Sequence, residues 1–226
     1  MSYKDDILKK ISSKKVVVGI LGLGYVGLPL AVAFAKNKVK VIGFDKSENK
    51  VKSVNISQNY IQDVDSAVFN EVVKNGLLTA TTDFTRIKDC DAVIICVPTP
   101  LDKFQEPDMS YIESACLDIA KYMKAGTFIS LESTTYPTTT EVFMKPIIEK
   151  NSGLKENIDF WLCFSPERVD PGNKQYKTEN TPKVIGGLGQ DAQKIALELY
   201  QIAIKQLYPV SSPRAAEMVK ILENTY

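Results

Sequence analysis

The feature that most constrains this chain is a glycine turn, Gly22-x-Gly24-x-x-Gly27, set between a β-branched run and a helical one. It directly follows Val16-Val17-Val18-Gly19-Ile20 and precedes an Ala/Leu-rich stretch that reads as helix to about Ala35. In a strand–turn–helix unit of this kind each glycine has its own task. The first permits the tight turn, the second lets backbone approach a pyrophosphate, and the third lets helix and strand pack closely. The amides at the helix N-terminus then face the phosphates. Residues 16–35 are also twenty consecutive residues without a charge, preceded by Lys14 and Lys15, and Ala31-Val32-Ala33 imitates a signal-peptidase site. Length alone permits a membrane span or a leader. Gly19, Gly22, Gly24, Gly27 and Pro29 break up that run, so strand, turn and helix is the better parse.

The same grammar continues along the chain. A short apolar strand over 39–44 ends at Asp45, 18 residues beyond Gly27. A carboxylate there suits both hydroxyls of a ribose and repels a 2′-phosphate, which favours NAD over NADP. Lys50, one turn further on, is placed to reach the adenosine ribose. Helices are expected from about Ser47 and over 66–75, the second closing at Gly76. A strand over 92–97, a proline-rich loop through Pro107 and a helix over 110–123 follow. Further strands are expected at 127–131, 160–164 and 183–185, with helices at 139–149 and 190–204. Apolar strands alternating with helices argue a parallel sheet covered on both faces, a Rossmann-type doubly wound α/β fold. Tyr208-Pro209-Val210-Ser211-Ser212-Pro213 is the one clear punctuation. Beyond it, 214–226 reads as a helix with Ser212 as N-cap and Pro213 at its first position. No stop signal ends that helix before the chain does. The expected division is 1–207 as a cofactor-binding domain and 208–226 as the start of a connecting helix.

Composition closes several alternatives. The chain has 226 residues, room for one large domain or for one plus the start of another. With 28 basic and 27 acidic side chains it carries no electrostatic footprint for nucleic acid. The absence of histidine excludes His-based acid–base catalysis and His-ligated metal within these residues, and no metal site is expected. Cys90, Cys96, Cys116 and Cys163 show no CxxC spacing, and three lie in or beside apolar runs. That pattern reads as reduced thiols in a cytoplasmic protein, with no membrane partner.

At Gly22-Leu23-Gly24-Tyr25-Val26-Gly27-Leu28-Pro29-Leu30-Ala31 the sequence becomes specific. Five further segments keep it company. They are Val41-Ile42-Gly43-Phe44-Asp45, Cys96-Val97-Pro98-Thr99-Pro100 and Glu132-Ser133-Thr134-Thr135-Tyr136-Pro137, then Phe164-Ser165-Pro166-Glu167-Arg168-Val169-Asp170-Pro171-Gly172-Asn173 and Ala216-Glu217-Met218-Val219-Lys220-Ile221-Leu222-Glu223-Asn224-Thr225-Tyr226. Together they resemble the UDP-sugar 6-dehydrogenases of the UDP-glucose/GDP-mannose dehydrogenase superfamily, and most closely its UDP-N-acetylglucosamine 6-dehydrogenases of surface-polysaccharide pathways. The resemblance implies a four-electron oxidation of a sugar CH2OH to a carboxylate with two NAD. In that chemistry a cysteine takes the aldehyde as a thiohemiacetal, and water hydrolyses the later thioester.

The resemblance also implies roles. Lys220 and Asn224, at i and i+4 on one helix face, would stabilise an oxyanion. Glu167 would be the general base for the hydrolytic water, and Thr134 would hold a catalytic water. Gly22, Gly24, Tyr25, Val26, Gly27, Asp45, Lys50, Pro98, Thr99, Ser133 and Thr134 would contact NAD, with Thr99 and Ser133 toward the nicotinamide. Without the resemblance, Lys220 and Asn224 read as a solvated face, and Glu167 as a helix-start charge or a partner of Arg168.

Two departures stand out. The family carries glycine where this chain has Thr138, so a positive φ there would strain the loop that holds Thr134. The family's nucleophilic cysteine, in a Gly-Gly-His-Cys context, has no counterpart among the four cysteines, and its UDP-binding domain has no counterpart either. The expectation is therefore the NAD-binding part of a UDP-N-acetylhexosamine 6-dehydrogenase, inactive by itself. The full-length enzyme would take a UDP-sugar and form a homodimer, and this chain would be a weak dimer or a monomer. Two other readings stay open: a stand-alone NAD-binding or regulatory module, and a dehydrogenase of the β-hydroxyacid type.

Overall fold

The computed structural model describes residues 2–101, 103, 107–167 and 178–225, with the side chains of the last helix described through Leu222. Eight strands form one sheet among the described residues: β1 (Val17–Leu21), β2 (Lys40–Phe44), β3 (Leu78–Thr81), β4 (Ala92–Ile95), β5 (Thr127–Leu131), β6 (Phe160–Phe164), β7 (Lys183–Gly187) and β8 (Leu207–Pro209). The helices are α1 (Tyr3–Ser12), α2 (Gly27–Lys36), α3 (Glu48–Asn55), α4 (Ser66–Lys74), α5 (Ser110–Tyr122), α6 (Lys145–Ser152), α7 (Gln190–Tyr200) and α8 (Pro213–Thr225). The strand order is β3-β2-β1-β4-β5-β6-β7-β8. Neighbours run parallel from β3 through β6, and the order reverses between β1 and β4. In an open α/β sheet that reversal opens a crevice at the carboxyl ends of the strands.

The sheet is mostly parallel, as expected, with one exception. β7 pairs antiparallel with β6, and β8 pairs parallel with β7, so the last two strands run against the other six. A parallel neighbour requires a crossover, usually a helix. Between β6 and β7 the sequence offers Pro166, Pro171, Gly172 and Pro182 and no helical periodicity.

Each face of the sheet has its own core. One packs Phe34, Leu30, Phe69, Ile195 and Tyr200 under α1, α2, α4 and α7; the other packs Phe44, Ile112, Ile119, Ile148 and Ala216 under α5, α6 and α8. The uncharged stretch is accounted for by burial within the protein, since residues 27–35 of α2 are all buried. No helix among the described residues is long and apolar enough to cross a membrane.

Local chemistry sets most boundaries. Gly76 takes φ +70 after α4, and Ser212 Oγ accepts from Ala215 N at the start of α8. The helix expected over 139–149 instead opens with a wide π-type turn, Thr139–Met144, before α6. Pro146 has no N–H to offer the carbonyl four residues back, so the regular ladder cannot start there. Three of these elements, α1, β3 and β8, have no forerunner in the sequence reading. α1 docks through Ile7 and Ile11 and through Lys10, whose Nζ lies 3.1 Å from Asp91 Oδ1. Residues 207–209, the last two of them inside the stretch read as punctuation, form β8 against β7. Burial alone would raise the Asp91 carboxyl, but the Val17 amide, Lys124 and Lys10 outweigh it and hold it below the ordinary range.

Candidate functional site

The glycine turn sits where β1 hands over to α2, beside the end of β4. Gly22 takes φ +95 and donates its N–H to Phe44 O at 2.7 Å; a Cβ there would meet Cys96 O. Gly27 faces inward, and a Cβ on it would run into the carbonyl oxygen of Gly22. Gly24 differs from both, because a Cβ on it would find no protein atom within 4 Å. α2 begins at Gly27 with no side-chain cap from Val26, and an anion is the natural partner for such an end. The turn is thus tight on its protein side and open on its solvent side.

That open side forms a cleft of about 430 Å³. Gly22, Gly24, Tyr25, Val26, Asp45, Lys50, Pro98, Thr99, Ser133, Thr134, Glu167 and Lys220 all line it. Of the remaining expected residues, Gly27 lies behind the turn and Asn224 lies on α8 with its side chain outside the described residues. Arg168, the alternative partner for Glu167, also lies outside them.

One end of the cleft is set by a fixed carboxylate. Asp45, at the end of β2, accepts from Leu23 N at 2.9 Å and Ser47 N at 2.9 Å, and Lys50 Nζ lies 3.1 Å from its Oδ2. The carboxylate is thereby fixed at the rim with a cation beside it. Phe44 and Phe84, ring centroids 5.7 Å apart, give the same end an apolar wall. Lys46, whose Nζ donates to Ser114 Oγ at 2.9 Å, joins the loop after β2 to α5 there. Burial, reinforced by Asp45, pushes the Tyr60 hydroxyl far above its ordinary value, and that hydroxyl donates to Leu23 O.

The other end gathers polar groups from three strand ends. Ser133 Oγ donates to Val97 O at 2.7 Å, tying the loop after β5 to the one after β4. Lys220 Nζ donates to the backbone oxygen of Glu167 at 2.6 Å, so α8 reaches the loop after β6. Behind them lies a buried network. Lys183 Nζ sits 2.8 Å from Glu132 Oε2 and 4.0 Å from Glu167 Oε2, and the Tyr200 hydroxyl donates to Glu132 Oε1 at 2.6 Å. Burial pushes the Glu132 carboxyl up to about 7, with Lys183 drawing it down and Glu167 adding to the rise. For Lys183, burial alone would lower the ammonium value, but Glu132 and Glu167 outweigh it. Sequence reasoning missed Lys183 and Tyr200, and passed over Glu132 although it opens the Glu-Ser-Thr-Thr segment; the only local signal was a charged residue in an apolar strand.

All four cysteines are free and buried. Cys96 lines the cleft, yet burial, with Glu132 and Glu167 adding to it, raises its thiol well above the ordinary value. It does not present a thiolate. Among the described residues no cluster of acidic and thiol side chains could hold a metal ion.

Thr138 takes φ +82, ψ 0, a left-handed conformation, and no side-chain bond caps the turn that starts there. A β-branched residue at that φ costs on the order of 1 kcal/mol or more. Thr138→Gly is therefore expected to raise the unfolding free energy by about 1 kcal/mol, offset in part by the extra freedom glycine has when unfolded. Urea denaturation measures it, and a variant less stable than the parent would contradict the strain.

The glycine turn, the carboxylate at the end of β2 and the open backbone at Gly24 fit a dinucleotide, and comparisons with known proteins agree. The profile of the UDP-glucose/GDP-mannose dehydrogenase family, NAD-binding domain, matches residues 16–204. A UDP-N-acetyl-D-glucosamine 6-dehydrogenase of Pseudomonas aeruginosa is 36% identical over 213 residues, which is 94% of this chain and 50% of that protein. A UDP-N-acetyl-D-mannosamine dehydrogenase of Pyrococcus horikoshii is 36% identical over 211 residues, 92% of this chain and 50% of that one. Among solved structures, an NDP-N-acetyl-D-galactosaminuronic acid dehydrogenase of Methanosarcina mazei superposes with a TM-score of 0.88 at 35% identity, over 100% of this chain and 50% of that chain. The chain thus spans about half the length of the relatives it matches.

Proposed function

The chain belongs to the UDP-glucose/GDP-mannose dehydrogenase family, through that family's NAD-binding domain, and from this premise we propose that it is the cofactor-binding part of a UDP-N-acetylhexosamine 6-dehydrogenase. The cofactor is NAD. The observation that carries the proposal is the single cleft that runs from Asp45 and Lys50 past Gly24 to Ser133, Thr134, Glu167 and Lys220. When bound, NAD supplies the hydride acceptor. Asp45 and Lys50 hold the adenosine ribose, and the carboxylate turns away a 2′-phosphate. The bare backbone at Gly24 takes the pyrophosphate against the start of α2. Pro98, Thr99 and Ser133 flank the nicotinamide end.

At that end the side chains suit the handling of a sugar C6 oxygen. Lys220, with Asn224 one turn on, stabilises negative charge on oxygen. Thr134 positions a water, and Glu167 takes its proton. The proposal assigns the nucleophilic thiol of the family's reaction to none of the four buried cysteines. This chain alone is therefore expected to bind NAD without turnover. Relatives named for N-acetylglucosamine and N-acetylmannosamine support the hexosamine class and do not separate its members. We further propose residues 1–207 as the NAD-binding domain, and 208–226 as the first part of a connecting helix. Met218, Ile221 and Leu222, all exposed on α8, would serve a homodimer of the whole enzyme. The setting would be the cytoplasm and the product a uronic acid for surface polysaccharide.

Calorimetric titration of the chain with NAD, NADP and UDP-N-acetylglucosamine tests the reading. The expected outcome is NAD binding, NADP at least about tenfold weaker through charge repulsion at Asp45, and no sugar-nucleotide binding. Asp45→Ala should narrow the gap between the two cofactors. Absence of NAD binding, or equal affinity for NADP, would overturn the assignment.

A further inference from the structure

We propose that Glu217 is a positioning residue that locks the loop carrying Ser133 and Thr134 onto the helix carrying Lys220. Glu217 stands one turn before Lys220 on α8 and is fully buried. Its carboxylate accepts from Thr138 N through Oε2, and from Thr140 N at 2.9 Å and Thr140 Oγ1 at 2.8 Å through Oε1. Every one of these donors lies on the turn that follows Glu132–Pro137. Among the described residues no lysine or arginine pairs with Glu217. A buried carboxylate without a counter-ion is costly and persists only where donors converge on it.

The turn it grips is the one that most needs gripping. Thr138 is held in the left-handed region and contributes no cap of its own, so Glu217 supplies from α8 the acceptor that an N-cap side chain would give. The grip is passed back toward the cleft. Thr135 and Thr139 hydroxyls lie 2.7 Å apart, and Thr139 Oγ1 donates to Tyr136 O at 2.8 Å. Three residues further along α8, Lys220 holds the backbone of Glu167. One helix thus ties together the loops after β5 and β6, and sets Thr134 and Lys220 in register across the cleft. The inference rests on the reading that the nicotinamide end of NAD lies at that side.

Glu217→Gln keeps the shape but presents an NH2 group where an amide N–H needs an acceptor. Amide hydrogen exchange and affinities for NAD and ADP-ribose, which lacks nicotinamide, are to be compared in this chain. Exchange at Thr138 and Thr140 is expected to speed up about tenfold or more while β1 amides are unaffected. NAD should bind about three- to tenfold more weakly, the equivalent of one lost hydrogen bond, and ADP-ribose equally well. Glu217→Asp, one methylene short, should share the loss. Thr140→Val, a milder change, should move the same readouts in the same direction and carries the test if Glu217→Gln does not fold. Unchanged exchange at both amides would overturn the proposal, and so would equal weakening of NAD and ADP-ribose. A parent chain that binds no NAD would instead overturn the functional reading, with the exchange comparison still deciding the clamp.

Discussion

Gly24→Ala and Gly27→Ala should fail in opposite ways, the first losing the cofactor and keeping the fold, the second losing stability. At Gly27 a methyl group meets the Gly22 carbonyl oxygen well inside contact distance, and Ile20 Cγ2 at 3.1 Å. Gly22 cannot give way easily, because its N–H is held by Phe44 O at 2.7 Å and its φ is +95. Relief then requires α2 to lift off β1, which opens one of the two cores. Overpacking against backbone of this kind costs about 3 kcal/mol, or roughly 10 °C in melting temperature for a domain of this size. At Gly24 the added methyl meets nothing, and its φ lies outside the left-handed region. The melting temperature should stay within about 2 °C of the parent's. Yet in the proposed cofactor placement the methyl stands where the pyrophosphate approaches backbone, and NAD affinity should fall about a hundredfold or more. Thermal melts and calorimetry on both variants decide it. Normal NAD binding by Gly24→Ala would remove the pyrophosphate from that turn, and an unchanged melt for Gly27→Ala would refute the packing role.

The same pair shows what a sequence can announce. A glycine spacing after a β-branched run, an acidic residue at the end of the next strand and Gly76 behind a helical period are local chemistry, read within a few residues. So is Ser212 before Pro213. The Thr138 departure was visible as well, and its φ of +82 follows from the turn it occupies. Direction and long-range pairing are another matter. That β7 runs against β6 depends on how a proline-rich connection closes in space, and periodicity within each strand is the same in either direction. Glu132 meets Lys183 across 51 residues and Tyr200 across 68, and Glu217 meets Thr138 across 79. No spacing rule links such positions; only the stacking of neighbouring strand ends brings them together. Hence the cleft's lining was largely legible, while the buried groups that hold its walls were not.

Those buried groups make the second large expectation: Lys183→Met should cost about 3–5 kcal/mol near neutral pH, the penalty for leaving one member of a buried ion pair alone. Lys183 Nζ is 2.8 Å from Glu132 Oε2, with the two side chains only 6% and 0% exposed. Without it, Glu132 keeps the Tyr200 hydroxyl but faces Glu167 with no cation between them. The loss should depend on pH in a definite sense. In the parent, burial already holds the Glu132 carboxyl at about 7, above its value in the unfolded chain. The folded state therefore binds that proton more tightly, and the carboxyl's contribution is full at low pH and is lost as pH rises toward 7. Removing the ammonium raises the carboxyl further and extends the loss to higher pH. The deficit of Lys183→Met relative to the parent should accordingly sit at a floor near pH 5, set by the lost ammonium contacts, and grow by about 1 kcal/mol through pH 8. Glu156, also raised to about 7 by burial, slopes the same way in both proteins and cancels in the difference. Adding Glu132→Gln to Lys183→Met removes the orphaned charge and should restore much of the stability at pH 8. Urea titrations of parent, single and double variants at several pH values measure this directly. A deficit that is flat in pH, or a double variant no better than the single one, would show that Lys183 acts through packing alone.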